Sequence, residues 1–176
     1  MESAIESPLC PVRRPEKVKF EISDEQDMIH VIPISGGADS SALAIWMHET
    51  FPHIKFLMVM SDTGAEDEST YEFLKVIEGI TGNQIDIIKP EFNLFELIEK
   101  YNNYLPSSQS RYCTRILKLN SFKSWMSKFH GKMMTMYIGI RADESSRVAF
   151  SIEGVETVMP FKEIGWTRNE VFSYLS

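Results

Sequence analysis

The sequence has few of the features that mark specialised protein classes. It contains two cysteines in 176 residues, Cys10 and Cys113. Two thiols are too few for a disulfide scaffold and too few for a four-thiolate metal or iron–sulfur site. That usage predicts free thiols and a cytoplasmic protein. No apolar run approaches the roughly 20 residues of a membrane span, so no membrane partner is expected. Residues 1–25 lack the apolar core of a signal peptide. Positive charge is also scarce: 18 lysines and arginines against 25 aspartates and glutamates give a net charge of -7. A general nucleic-acid binder needs a basic face, and this balance argues against one. It leaves room for a local basic pocket that holds a small phosphorylated ligand.

What is present is ordinary globular material, with 43% hydrophobic and 24% charged residues, enough for one domain with a real core. Residues 1–26, with Pro8, Pro11 and Pro15, read as a leader carrying a short edge strand at Val18–Ile22. Residues 27–176 read as one domain. From Ile29 the pattern is regular. Buried strands are expected at Ile29–Ile34 and Lys55–Met60, and further strands at Ile85–Ile88, Met133–Ile140 and Thr157–Met159. Helices are expected at Ser40–Glu49, Glu66–Ile80, Leu94–Lys100, Cys113–His130 and Thr167–Leu175, the last with Thr167 as N-cap. Strands that alternate with helices imply an α/β fold with a mostly parallel sheet. The polar clusters 35–40, 61–64 and 141–147 follow strands, so they fall at the carboxyl edge, where such sheets bind ligands.

Ser35-Gly36-Gly37-Ala38-Asp39-Ser40 sits between a strand and a helix. Two glycines allow a tight turn and close backbone approach. The helix directs free N–H groups and its positive dipole end at the turn, and Ser35 and Ser40 add hydroxyls. A protein holds a pyrophosphate in this way. The turn is neither a Walker loop nor a G-x-G-x-x-G turn.

The turn resembles the S-G-G-x-D-S signature of the PP-loop ATP pyrophosphatases. That resemblance implies a Rossmann-like, adenine nucleotide alpha hydrolase-like sheet with helices on both faces. It also implies cleavage of ATP between the α and β phosphates. Further segments are similar to the phosphoadenosine-phosphosulfate (PAPS) reductase-like branch. These are Asp62-Thr63-Gly64, Arg111-Tyr112-Cys113 with Lys118, the run from Gly139 through Arg141 to Arg147, and Pro160 with Trp166-Thr167 and Val171. They occur in family order over nearly the whole chain. The branch places the Asp62–Gly64 segment beside the nucleotide, and the resemblance puts Ala38 and Gly139 with the binding residues.

Residue chemistry suggests roles. Ser35, Gly36, Gly37 and Ser40 would bind phosphate oxygens. Asp39 would position Mg²⁺ or cap the helix. Arg141 and Arg147 would clamp phosphate or sulfate, or pair with Asp143 and Glu144. Lys118 would reach the same anion or lie on the surface. Asp62 would hold ribose or a metal, or end its strand. Ala38 stands where the group often has Lys, and no proline follows Asp62-Thr63-Gly64.

Reduction of a sulfonucleotide needs a thiolate. The reductases carry it in a C-terminal tail, which is absent before Ser176. Cys113, near Arg111, Arg115 and Lys118, is either reactive or a half-buried helix residue. Three functions follow. The first is an enzyme that binds Mg·ATP and adenylates an acceptor such as sulfate or a nucleic-acid group. The second is a sulfonucleotide (PAPS or APS, adenosine 5′-phosphosulfate) reductase using Cys113 or another subunit's thiol. The third is a non-catalytic nucleotide-binding subunit. The sequence names neither the acceptor nor the partner, whether a second copy or a different subunit.

Overall fold

A computed structural model describes residues 20–22, 27–107, 110 and 112–176. The elements run β1 (Ile29–Pro33), α1 (Ala38–Thr50), β2 (Phe56–Ser61), α2 (Glu68–Thr81), β3 (Ile85–Ile88), α3 (Leu94–Lys100), α4 (Ser121–Met126), β4 (Met134–Tyr137), β5 (Val155–Val158), α5 (Pro160–Glu163) and α6 (Arg168–Leu175). The strands form one sheet in the order β3-β2-β1-β4-β5, and every ladder is parallel. The chain is therefore a Rossmann-like α/β protein, as the alternating pattern implies.

Strand alternation sorts the core into two layers. Ile32, Ile34, Phe56, Met58 and Met60 face one side and pack with Leu43, Met47, Leu74, Ile77 and Val171 of α1, α2 and α6. Val31, Val59, Met134 and Met136 face the other side and pack with Phe122 and Trp125 of α4. The middle of α1, Ala42–Met47, is an unbroken apolar run because its neighbours are the sheet, α2 and α6. Thr167 caps α6 in a capping box with Glu170. Thr167→Ala should cost about 1 kcal/mol in thermal or denaturant unfolding.

Several boundaries differ from the sequence expectation. Val18 and Lys19 lie outside the described residues, and Phe20–Ile22 form no strand. Phe20 instead inserts its ring 5.9 Å from Trp46 and 5.9 Å from Phe51. Cys113–His130 is not one α-helix. Thr114–Asn120 is π-helical, α4 follows, and Ser127–Phe129 is a 3₁₀ turn. Leu117 and Phe122 are both buried and five residues apart. An α-helix would set them about 140° apart, and the wider π turn brings them nearer one side. The fourth strand stops at Tyr137 rather than Ile140, because Ile140 N turns back to Ile138 O at 2.9 Å. The fifth starts two residues early, at Val155, and Pro160 opens the short α5 instead of only closing the strand.

Candidate functional site

β1 leads through α1 to β2 on one side, whereas β4 lies on its other side. The carboxyl ends of β1 and β4 therefore open a crevice at a topological switch point, the usual ligand position in such sheets. The turn Ser35–Ser40 and the loop from Gly139 form its two walls.

Gly36 has φ 74°, and a Cβ there would lie 2.5 Å from Thr70 Cγ2 of α2. Gly37 is the N-cap of α1, with extended backbone and no side-chain cap. The cap role considered for Asp39 thus falls to Gly37, and the helix starts at Ala38 rather than Ser40. The first turn closes with Ser41 N donating to Gly37 O at 3.1 Å. The N–H groups of Ala38, Asp39 and Ser40 precede that bond and have no intrahelical acceptor. Ser35 N donates to Ser40 Oγ at 3.2 Å, and Ser40 Oγ donates to Gly37 O at 3.0 Å. The two serine hydroxyls are 3.2 Å apart. An uncapped helix end with two hydroxyls beside it suits an oxyanion.

Gly139 passes directly against this turn. A Cβ at Gly139 would sit 2.8 Å from Asp39 O and 3.0 Å from Asp39 C. Just beyond it, Arg141 Nη1 donates to Asp39 Oδ2 at 2.5 Å and Nε donates to Asp143 Oδ1 at 3.0 Å. Arg141 N donates to Glu144 Oε2 at 3.2 Å, while Arg147 Nη1 donates to Glu144 Oε1 at 2.7 Å. Arg141 is largely buried at 16% side-chain exposure, whereas Arg147 is open at 58%. Of the alternatives weighed for the arginines, the structure shows the pairing with Asp143 and Glu144, and adds Asp39 of the Ser35–Ser40 turn as a partner of Arg141. Asp39 Oδ1 is buried and has no hydrogen-bond partner.

The hydrogen bond to Asp39 raises the pKa of Arg141 further above its already high value. Burial opposes ionisation of Asp143 and Glu144. For Asp143 the hydrogen bond and charge of Arg141 outweigh it, and for Glu144 those of Arg147 and Arg141 do. Both carboxyls therefore sit below their usual range. Groups with depressed pKa stabilise the fold above their unfolded values, and that contribution fades as pH falls through the folded ones. The 139–150 loop should hold its protection at pH 5–7 and lose it below about pH 4. Hydrogen exchange or proteolysis across that range measures this.

The β2 loop is tied to itself. Asp62 Oδ1 accepts from Gly64 N at 2.9 Å. Thr63 is buried, and its N and Oγ1 donate to Glu66 at 3.0 and 2.8 Å. Tyr71 donates its hydroxyl to Asp62, and this bond, with burial, pushes its pKa up to about 12. Lys118 is exposed on the π-helix, whose Leu117 carbonyl accepts from Ser61 Oγ at 2.7 Å. Cys113 is half-buried beside Tyr112 and Leu117. Arg111 lies outside the described residues. Sequence reasoning named Glu144 as a pairing partner of the arginines, and it meets both. Its signal was positional, since Glu144 is three residues from both Arg141 and Arg147 and so joins them in one turn. Sequence reasoning missed Thr70 and Tyr71, for which no local pattern speaks.

A parallel sheet with an uncapped glycine-serine turn at its switch point defines a class, the open Rossmann-like α/β proteins. Comparison narrows it: the chain belongs to the phosphoadenosine phosphosulfate reductase domain family, whose profile matches residues 29–176. Adenosine 5′-phosphosulfate reductase 2 of Bacillus subtilis (strain 168) is 30% identical over 131 residues, 70% of this chain and 51% of that protein. Adenosine 5′-phosphosulfate reductase of Staphylococcus haemolyticus (strain JCSC1435) is 26% identical over 151 residues, 82% of this chain and 60% of that protein. The chain thus spans only 51% and 60% of the length of these curated relatives. The crystal structure of phosphoadenylyl-sulfate (PAPS) reductase from Candida auris, in a phosphate complex, superposes with a TM-score of 0.59. It is 13% identical over 86% of this chain and 72% of its own, a likeness of fold. No helix among the described residues is long and apolar enough to cross a membrane.

Proposed function

We propose that this chain is the sulfonucleotide-binding domain of a reductase that acts on adenosine 5′-phosphosulfate. The observation that carries the reading is the uncapped N-terminus of α1 within the Ser35–Ser40 turn, backed by Gly139 at the switch point. In this reading the N–H groups of Ala38, Asp39 and Ser40 and the hydroxyls of Ser35 and Ser40 hold the phosphate. Arg141 and Arg147 face the outer oxyanion, with Lys118 at the rim. Asp62, Thr63 and Gly64 shape the wall beside the nucleoside.

The form without a 3′-phosphate fits better. An added phosphate carries about −1.5 to −2 charge. The three loops already carry Asp39, Asp62, Glu66, Asp143 and Glu144 against Arg141 and Arg147, and Ala38 adds no cation. Both curated relatives described above are adenosine 5′-phosphosulfate reductases.

In the reaction a thiolate attacks the sulfur. The bond from sulfur to the phosphate oxygen breaks, and adenosine monophosphate leaves with that electron pair. The sulfo group stays on the thiol. Cys113→Ser separates the steps. Nucleotide binding should stay within about twofold, since its thiol packs with Leu117 and not in the turn. A loss of sulfur transfer with binding intact would make Cys113 the acceptor.

The adenylating reading asks Asp39 to hold Mg²⁺ for ATP. Asp39 Oδ2 is taken by Arg141 and Oδ1 is buried. A magnesium ion held by Asp39 would have to displace Arg141 from Oδ2.

Isothermal titration with adenosine 5′-phosphosulfate, its 3′-phosphorylated form and Mg·ATP tests the proposal. Binding of the first, with the second at least about tenfold weaker (1.4 kcal/mol), is the expected result. Tighter binding of Mg·ATP with release of pyrophosphate would replace it by the adenylating function.

A further inference from the structure

The loop after β2 commits its backbone donors to its own carboxylates. Glu66 Oε2 accepts from Thr63 N at 3.0 Å and from Ala65 N at 3.2 Å, and Glu66 Oε1 accepts from Thr63 Oγ1 at 2.8 Å. Between them Gly64 N donates to Asp62 Oδ1 at 2.9 Å. Successive backbone N–H groups in a turn form a concavity that holds an anion. Here Glu66 is that anion, and one of its oxygens bridges the N–H groups of Thr63 and Ala65. The turn is fixed from behind by α3. Gly64 has φ 74°, a Cβ there would lie 2.8 Å from Asn93 Cβ, and Thr63 O accepts from Leu94 N at 2.7 Å.

The strand order puts this loop beside the Ser35–Ser40 turn, since β2 neighbours β1. α2 joins the two, because a Cβ at Gly36 would meet Thr70 Cγ2 at 2.5 Å while Tyr71 donates to Asp62. In open sheets with a phosphate at the first turn, an acidic residue about 20 residues further on takes the ribose hydroxyls, and a cation there accommodates an added ribose phosphate. Residues 61–70 contain no lysine or arginine. Among the described residues neither Asp62 nor Glu66 pairs with one.

We propose that Glu66 is a specificity-determining residue of this site, which rejects a ribose 3′-phosphate by filling the anion cradle of the β2 loop. The proposal deepens the reductase reading and rests on it for the placement of the nucleoside. A free 3′-hydroxyl can donate to Asp62, whose carboxylate has about four acceptor positions and uses them for Gly64 N and Tyr71. A 3′-phosphate brings about −1.5 to −2 charge against two carboxylates. It also finds the N–H groups of Thr63, Gly64 and Ala65 already taken.

Isothermal titration of the full chain with adenosine 5′-phosphosulfate and its 3′-phosphorylated form reads the effect. Glu66→Ala should lower the ratio of the two affinities at least about fivefold, by tightening the 3′-phosphorylated ligand. Glu66→Gln keeps the shape and an acceptor oxygen, and should lower the ratio by a smaller factor. Glu68→Gln removes the same charge from the exposed first residue of α2 and should leave the ratio unchanged. Amide NMR with inorganic phosphate gives a readout independent of the nucleotide. Thr63, Gly64 and Ala65 should shift with phosphate in Glu66→Ala and stay still in the unaltered chain. An unchanged ratio in both Glu66 variants, an equal fall in Glu68→Gln, or loop amides that ignore phosphate in Glu66→Ala would overturn the proposal. Equal weakening of both nucleotides would also overturn it, since a purely structural role of Glu66 produces that. If the unaltered chain binds no adenosine 5′-phosphosulfate, the reductase reading fails instead, and the phosphate titration still decides whether Glu66 fills an anion cradle.

Discussion

Gly139→Ala should abolish or cripple nucleotide binding while leaving the sheet folded. The added methyl would meet the carbonyl oxygen and carbon of Asp39 at 2.8 and 3.0 Å, and Ser40 N at 3.3 Å. These are backbone atoms of the first α1 turn and cannot rotate aside as a side-chain tip can. Relief comes only by pushing the β4 loop away from the Ser35–Ser40 turn. Overpacking of this kind costs about 1–3 kcal/mol. The same displacement opens the crevice, so affinity for adenosine 5′-phosphosulfate should fall by at least about tenfold. Gly79→Ala is the control, since a Cβ there meets nothing within 4 Å and the residue lies inside α2. It should leave binding unchanged. Calorimetry on the two variants decides the matter.

Arg141→Ala should have the second large effect, on both stability and binding. The substitution strips Asp39 of its one hydrogen-bond partner, because Oδ1 has none already. Removing one partner of a fully buried ion pair costs about 3–5 kcal/mol. Asp39 and Arg141 keep 25% and 16% side-chain exposure, so about 2 kcal/mol is expected here. Asp39→Asn removes the charge but keeps the shape. The double variant with Arg141→Ala should therefore recover part of the loss, with a coupling of about 1 kcal/mol or more in a denaturant-based cycle. Binding behaves differently: Arg141→Ala and the double variant should both lose the sulfonucleotide. Strict additivity would mean that the pair seen across the crevice contributes nothing.

Much of the architecture was legible in the sequence because it is written in short-range chemistry. The strands β1, β2 and β3 are largely apolar runs bounded by turn residues, and the Ser35–Ser40 turn carries two adjacent glycines. What failed depends on tertiary contacts. The π-helix at Thr114–Asn120 answers to where Leu117 and Phe122 must go, which no local propensity encodes. The β4 strand ends early because Gly139 must pass α1, a constraint set by an element a hundred residues away. Phe20 packs on Trp46 from a segment that reads as a leader. The candidate site divides in the same way. Ser35–Ser40 and Arg141 were visible as motif residues. Pairing with Asp143 and Glu144 was legible too, whereas the union of turn and loop through Asp39 emerged only from the fold.

The most direct test is to follow the backbone amides of the chain by NMR as adenosine 5′-phosphosulfate is added. The account predicts that the largest shifts fall on Ala38, Asp39 and Ser40, with a second group at Gly139–Arg141, and that Gly139→Ala removes both. Binding that leaves those amides unmoved, or no binding at all, would contradict it.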